Sequence, residues 1–140
     1  MRVVELFAGV GGFRIGFEGP PQSADRSLFG VVWSNQWEPT TKKQHAAEVY
    51  VSRWGMESSE GDPDVYSAGP EAVFVNKDIG TIDASEVPDH DLLCGGFPCQ
   101  DYSVAKTASA AKGLEVRKGV LWWEILRILE AKMPDFALLE

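Results

Sequence analysis

The stretch that most constrains this chain is Asp91-Leu92-Leu93-Cys94-Gly95-Gly96-Phe97-Pro98-Cys99-Gln100. A short apolar run ends in two glycines, and a cysteine then stands between a proline and a glutamine. The run reads as a buried strand, and the glycine pair as a sharp turn at its end. A buried strand that presents one thiol on a stiff turn is the support a nucleophile needs. Cys99 is therefore the candidate nucleophile, and the segments before it are read as the walls of a ligand pocket.

Four other apolar runs share this form. Arg2 to Ala8 reads as a first strand that feeds Gly9-Val10-Gly11-Gly12 and a short helix carrying Phe13, Ile15 and Phe17. Strand, glycine turn and helix is the opening of a nucleotide-binding βαβ unit, although such turns also serve as plain tight connections. Leu28 to Ser34 reads as a second strand ending at Asn35-Gln36-Trp37-Glu38. An acid at this place receives ribose hydroxyls in nucleotide-binding sheets, and Trp37 can stack on a base. A core tryptophan beside a solvated glutamate fits the same residues. Ala72 to Val75 reads as a third strand leading to Asn76-Lys77-Asp78-Ile79, where Asp78 either meets a ligand amine or caps the next turn. His90 to Gly96 is the fourth strand and Phe136 to Leu139, before Glu140, the fifth.

Between them, Pro39 to about Trp54 has a helical period with Ala46, Tyr50 and Trp54 on one face, and Asp83 to Pro88 reads as a helical turn. Gly55 to Gly69 is rich in acids and reads as a solvated surface loop; no metal is expected there. Val120 to Lys132 is the clearest helix, with Leu121, Ile125, Ile128 and Leu129 in one stripe and Pro134 beyond its end. The order predicts an α/β fold with a parallel, doubly wound sheet. Its ligand lies at the carboxyl ends of the strands. The glycine turn, Trp37 and Glu38, Asp78, Pro98 and Cys99, and Glu140 all fall on that edge.

Net charge bears on what binds there. A charge of −8 over 140 residues argues against a general nucleic-acid binder. Asp101 to Lys118 is locally different, with Lys106, Lys112, Arg117 and Lys118 against two acids, so the chain is basic beside Cys99. That loop reads either as functional or as a solvated linker. Two cysteines make no disulfide framework and point to a reduced, cytoplasmic protein; no apolar run is long enough to span a membrane, and no signal peptide is evident. Methylation of C5 of cytosine after attack at C6 needs a thiolate, a proton-donating carboxyl and an electrophilic methyl donor. This edge can offer the set.

The residues resemble the DNA cytosine-5 methyltransferases. Leu6 to Arg14 (LFAGVGGFR) is similar to that family's S-adenosylmethionine motif, Ser34 to Glu38 (SNQWE) to its second and Lys77 to Ile79 (KDI) to its third. Gly95 to Ser103 (GGFPCQDYS) is similar to the catalytic motif, and Pro134 to Glu140 (PDFALLE) to the start of the ENV motif. The resemblance implies a Rossmann-like methyltransferase sheet whose first five, mostly parallel strands are present and which is incomplete at the C-terminus. It implies Cys99 as the nucleophile and Glu140 as the contact to cytosine N3 and the exocyclic amine. It implies a cofactor site made by Phe7, Ala8, Gly9, Gly11, Gly12, Gln36, Trp37, Glu38, Asp78, Ile79, Pro98 and Leu121. Gln100 and Ser103 would begin a loop that closes over double-stranded DNA with the target base flipped out.

The family usually has an acid where Gln36 stands, which leaves the ribose to Gln36 or Glu38. The chain also ends at Glu140, before the family's later motifs and target-recognition domain. Residues 1–140 are thus expected to be part of a catalytic domain, inactive or weakly active alone, whose fifth strand is an apolar edge open to a second chain or to self-association. A restriction-modification enzyme and a regulatory one read alike here. Two alternatives remain: a non-catalytic S-adenosylmethionine-binding module or regulatory subunit, and a dinucleotide-dependent or thiol enzyme. Against the latter stand a G-x-G-G turn in place of G-x-G-x-x-G and the lack of a Cys-His pairing.

Overall fold

The computed structural model describes residues 1–22, 27–96 and 121–140. These form one seven-stranded sheet in the order β3-β4-β5-β2-β1-β6-β7. The strands are β1 (Arg2–Leu6), β2 (Gly30–Asn35), β3 (Glu57–Ser58), β4 (Val65–Ser67), β5 (Val73–Val75), β6 (Leu92–Gly95) and β7 (Phe136–Leu139). The helices are α1 (Gly12–Glu18), α2 (His45–Arg53) and α3 over 121–132. β1 pairs in parallel with both β2 and β6, β2 with β5, and β6 with β7. The expected parallel sheet is present, and the strand order reverses at β1. The crevice beyond the carboxyl ends at such a reversal is where this architecture places ligands.

Both faces are covered. One carries Val4, Leu6, Trp33, Val75 and Leu93 against Ile125 and Ile128 of α3 and against Ile79, Ile82 and Val87 from short helical turns. The other carries Val3, Val31, Leu92 and Cys94 against Phe13 and Phe17 of α1, and Phe74 against Ala47 and Tyr50 of α2. Strands buried on both faces explain the nearly continuous apolar runs of β1 and β6. The predicted stripe of α3 is the buried one: Ile125 and Ile128 are fully buried, and Leu121 and Leu129 pack on the same cluster. Met133 closes α3 in a left-handed conformation (φ 46°), its N–H bonded to the Leu129 carbonyl, before Pro134 bars continuation.

Three expectations are corrected. The acidic stretch is not simply a solvated loop, since β3 and β4 lie within it and β4 runs antiparallel to β5. Tyr66 packs on Phe74 (6.1 Å between ring centroids) and Val65 joins the core, so two apolar side chains outweigh the acids around them. The acids gather near the hairpin turn, where Asp62 pairs with Lys77. Second, α2 starts at His45 rather than after Pro39, because Gln44 closes the preceding loop. Its side chain accepts from the Glu38 N–H (2.8 Å) and donates to the Glu38 carbonyl (2.9 Å). Third, the face of α2 that is fully buried carries Ala47 and Tyr50, not Ala46.

β7 lies at the sheet edge as expected, with Phe136 and Leu138 exposed. Among the described residues no helix is long and apolar enough to cross a membrane.

Candidate active site

The first turn is built by left-handed backbone. Phe7, Gly9 and Gly11 have φ of 55°, 54° and 86°. Phe7 is a bulky residue in a region that costs it strain, which the surroundings must hold in place. The Ala8 N–H donates to the Asn35 carbonyl (2.9 Å), the Gly11 N–H to the Ala8 carbonyl (2.8 Å), and the Gly9 N–H to Gln36 Oε1 (2.8 Å). The ends of β1 and β2 are thereby locked together. Asn35 then ties β2 to the end of β5 by donating to the Val75 and Lys77 carbonyls at 3.1 and 2.8 Å.

A cavity of about 330 Å³ opens on this edge. Phe7 and Gly9 form one wall, Gln36 and Trp37 a second, Asp78 and Ile79 a third, and Leu121 of α3 a fourth. These are seven of the residues expected at a cofactor site; Asn35, Pro39 and Gly96 complete the lining and were not foreseen. Trp37 is 39% exposed, so it is no core tryptophan. Asp78 does both things its position allows. It lines the cavity, and its Oδ1 accepts from the Gly80 N–H (3.0 Å) to cap the next turn. Arg127 of α3 fixes that turn, donating to the Ile79 and Ile82 carbonyls at 3.1 and 3.0 Å.

A second cavity, about 600 Å³ and more open, lies on the other side of Phe7 and Gly96. Ala8 and Gly12 line it, together with Phe13, Leu138 and Glu140. Glu140 sits close to the turn after β6: its N–H donates to the Gly95 carbonyl (3.1 Å), and a Cβ on Gly96 would come within 3.9 Å of its Oε2. Two expected residues line neither cavity. Glu38 is turned to α2, where its carboxylate accepts from the Ala46 N–H (3.0 Å), a favourable place for a negative charge. Gly11 packs against α2 instead. Pro98, Cys99, Gln100 and Ser103, and the basic loop from Asp101 to Lys118, lie outside the described residues.

The other cysteine is described, and its setting is unreactive. Cys94 is fully buried in β6, and burial, then the neighbouring Glu5, pushes its thiol up to about 12. A thiol so raised is no nucleophile at neutral pH.

Sequence reasoning passed over a buried polar group beneath the turn. Glu5, wholly inaccessible, accepts from Tyr50 Oη (3.0 Å) and Ser34 Oγ (3.4 Å). Burial raises its carboxyl to about 7 against the opposing pull of Tyr50, Arg14 and Ser34. Arg14 donates to Tyr50 Oη (3.3 Å) and to Glu18 (2.7 Å), and Glu18 in turn accepts from the Val31 N–H. The signal was a charged residue inside an apolar strand, Arg2-Val3-Val4-Glu5-Leu6.

Comparison with known proteins gives the family. The sequence matches the C-5 cytosine-specific DNA methylase family over residues 1–140. It is 39% identical over 142 residues to the Type II methyltransferase M.Sau3AI of Staphylococcus aureus, covering 100% of this chain and 30% of that protein. It is 34% identical over 140 residues to M.HhaI of Haemophilus parahaemolyticus, covering 100% of this chain and 33% of the relative. For M.SsoII of Shigella sonnei the identity is 33%, over 99% of this chain and 28% of the relative. The chain thus spans about a third of the length of the curated relatives it matches. On the match over its whole length, this chain belongs to the C-5 cytosine-specific DNA methylase family.

Proposed function

We propose that residues 1–140 are the N-terminal, cofactor-binding and nucleophile-bearing part of a catalytic domain that transfers a methyl group from S-adenosylmethionine to C5 of a flipped-out cytosine in double-stranded DNA. The observation that carries this reading is the cavity at the sheet's reversal point, walled by Phe7, Gly9, Gln36, Trp37, Asp78 and Leu121.

The donor set suits an adenosine with a short charged tail. Trp37 offers an aromatic face for the ring, and Asp78 an acceptor for an exocyclic amine. Gly9 has no side chain to keep a ligand off the backbone. Gln36 is the ribose partner in this reading. Its Oε1 accepts from the Gly9 N–H, while its amide Nε2 makes only a long bond to the Trp37 carbonyl (3.5 Å) and has a second hydrogen to donate; the Glu38 carboxylate is engaged at α2. Bound there, S-adenosylmethionine supplies the electrophilic methyl group.

The chain's own residues do the rest. Cys99 follows Gly96 by three positions, and it attacks C6 of cytosine as a thiolate. The carboxyl of Glu140, beside the turn after β6, donates toward N3 and accepts from the exocyclic amine. Charge driven into the ring by sulfur is relieved at N3, and C5 becomes the nucleophilic carbon; once it carries the methyl group, loss of the C5 proton to a base and breakage of the C6–S bond restore the aromatic ring and the free Cys99 thiolate. The base must leave the helix for both faces of its ring to be reached. Gln100 and Ser103 contact the DNA around the flipped base.

The test uses the complete protein with S-adenosylmethionine and a duplex containing 5-fluorocytosine at the target. A covalent protein–DNA adduct is expected with the natural sequence and none with Cys99→Ser. An adduct that persists in Cys99→Ser removes Cys99 from the role.

A further inference from the structure

We propose that Trp54, together with Arg53 and Arg14, is a positioning device that sets the shape of the glycine turn from the side remote from ligand. This rests on the proposed cofactor cavity and goes beyond it, since none of the three residues lines that cavity.

The contact is unusually close. A Cβ built on Gly11 would lie 2.0 Å from Trp54 Cη2, 2.3 Å from Cζ3 and 3.1 Å from Tyr50 Cε2. Such distances mean that the outer edge of the indole ring fills the space a side chain at Gly11 would need, so only glycine fits there. The ring is itself fixed. Its centroid is 4.3 Å from that of Tyr50, the Arg14 guanidinium carbon lies 4.8 Å over it, and that of Arg53 lies 5.6 Å over it. Arg53 then reaches the turn directly, donating from Nη1 to the Val10 carbonyl at 2.6 Å. Arg14 is only 6% exposed and also bonds Tyr50 and Glu18, so it has little freedom to move.

The turn is therefore gripped at Val10 and Gly11 from α2, while Phe7 and Gly9 of the same turn face the cavity. Phe7 and Gly9 both sit at positive φ, and Gly9 N–H is held to Gln36. A strained turn held from one side will relax if that side is removed, and the cavity wall moves with it. The substrate class affected is the nucleoside cofactor rather than DNA, because Phe7 and Gly9 of the gripped turn line the proposed cofactor cavity.

The experiment compares Trp54→Leu, Arg53→Met and Arg53→Lys with the natural sequence in the complete protein. It reads S-adenosylmethionine binding by calorimetry, KM and kcat for methyl transfer, and Tm without cofactor. Trp54→Leu and Arg53→Met should raise Kd and KM for S-adenosylmethionine by about tenfold, the effect of one lost charge-assisted contact on a binding wall. The kcat and the KM for DNA should stay within about twofold, since the reacting groups are untouched. Arg53→Lys keeps a donor for the Val10 carbonyl and should recover most of the affinity. Should Trp54→Leu fail to fold, Arg53→Met and its lysine counterpart carry the test, because Arg53 is not in the core. Unchanged cofactor affinity in folded variants overturns the inference while leaving the proposed function intact. Failure of the natural sequence to bind S-adenosylmethionine would remove the proposed function, and this inference with it.

Discussion

Glu5 should make the protein lose stability as pH rises through neutrality, and Glu5→Gln should abolish that loss. The carboxyl is fully buried, and its pKa is raised from 4.5 to about 7, first by desolvation. In the unfolded chain it titrates near its ordinary value, so between those two pH values the folded state holds a proton that the unfolded state has released. The stabilisation is complete below pH 4.5 and is lost as pH climbs through 7. Integrated between pH 5 and pH 8, the loss is about 2–3 kcal/mol, at 1.36 kcal/mol per pH unit per proton. The groups that face Glu5 do not titrate in this window. Tyr50 is raised above its usual value, Arg14 stays charged, and Cys94 is pushed to about 12. The assay is urea denaturation of both proteins at pH 5, 6, 7 and 8. The absolute stability of Glu5→Gln depends on how its amide settles against Tyr50 and Ser34, but its advantage over the natural sequence should grow by about 2–3 kcal/mol across the series. A difference that does not change with pH would refute the reasoning.

Three other outcomes follow from the same geometry. Ile128→Ala, at a fully buried position between α3 and the sheet, should cost about 3–4 kcal/mol in chemical denaturation. Trp37→Ala should cost less stability than Ile128→Ala, because the ring is 39% exposed, yet weaken S-adenosylmethionine by about tenfold in calorimetry; a loss of stability as large as that of Ile128→Ala would make Trp37 a structural residue. Cys94→Ala should still form the covalent adduct with 5-fluorocytosine DNA, at a stability cost of about 1 kcal/mol for the lost sulfur.

Much of the sheet was legible because strands buried on both faces leave uninterrupted apolar runs between glycine-rich or polar turns. β1, β5, β6 and β7 each appear where such a run stands, with ends shifted by a residue or two. β3 and β4 were missed because they are two and three residues long and set among acids. Their pairing depends on the free edge of β5, which no local pattern announces. The start of α2 was misread for a related reason. Pro39 is an acceptable first helical residue, but the side-chain bonds between Gln44 and Glu38 hold the loop open until His45. At the cavity, residue types at strand ends pointed to Trp37 and Asp78, and the family resemblance to Phe7 and Gln36; all four line it. Neither signal could tell that Glu38 would be spent on a helix end while Gln36 faced inward.

The sequence by itself determined the parallel sheet, the edge on which chemistry-bearing residues gather, and the family whose motifs they carry. These follow from periodicity, turn residues and short motifs, all of which are local. Only the tertiary structure decided which acid lines the cavity and which meets a helix end, and that Cys94 is sealed in the sheet. It alone brought Trp54 and Arg53 against a glycine turn some forty residues away in the chain, with Arg14 over the Trp54 ring. Those assignments depend on which side chains from distant segments share one buried volume, and desolvation and close packing act only once that volume has formed.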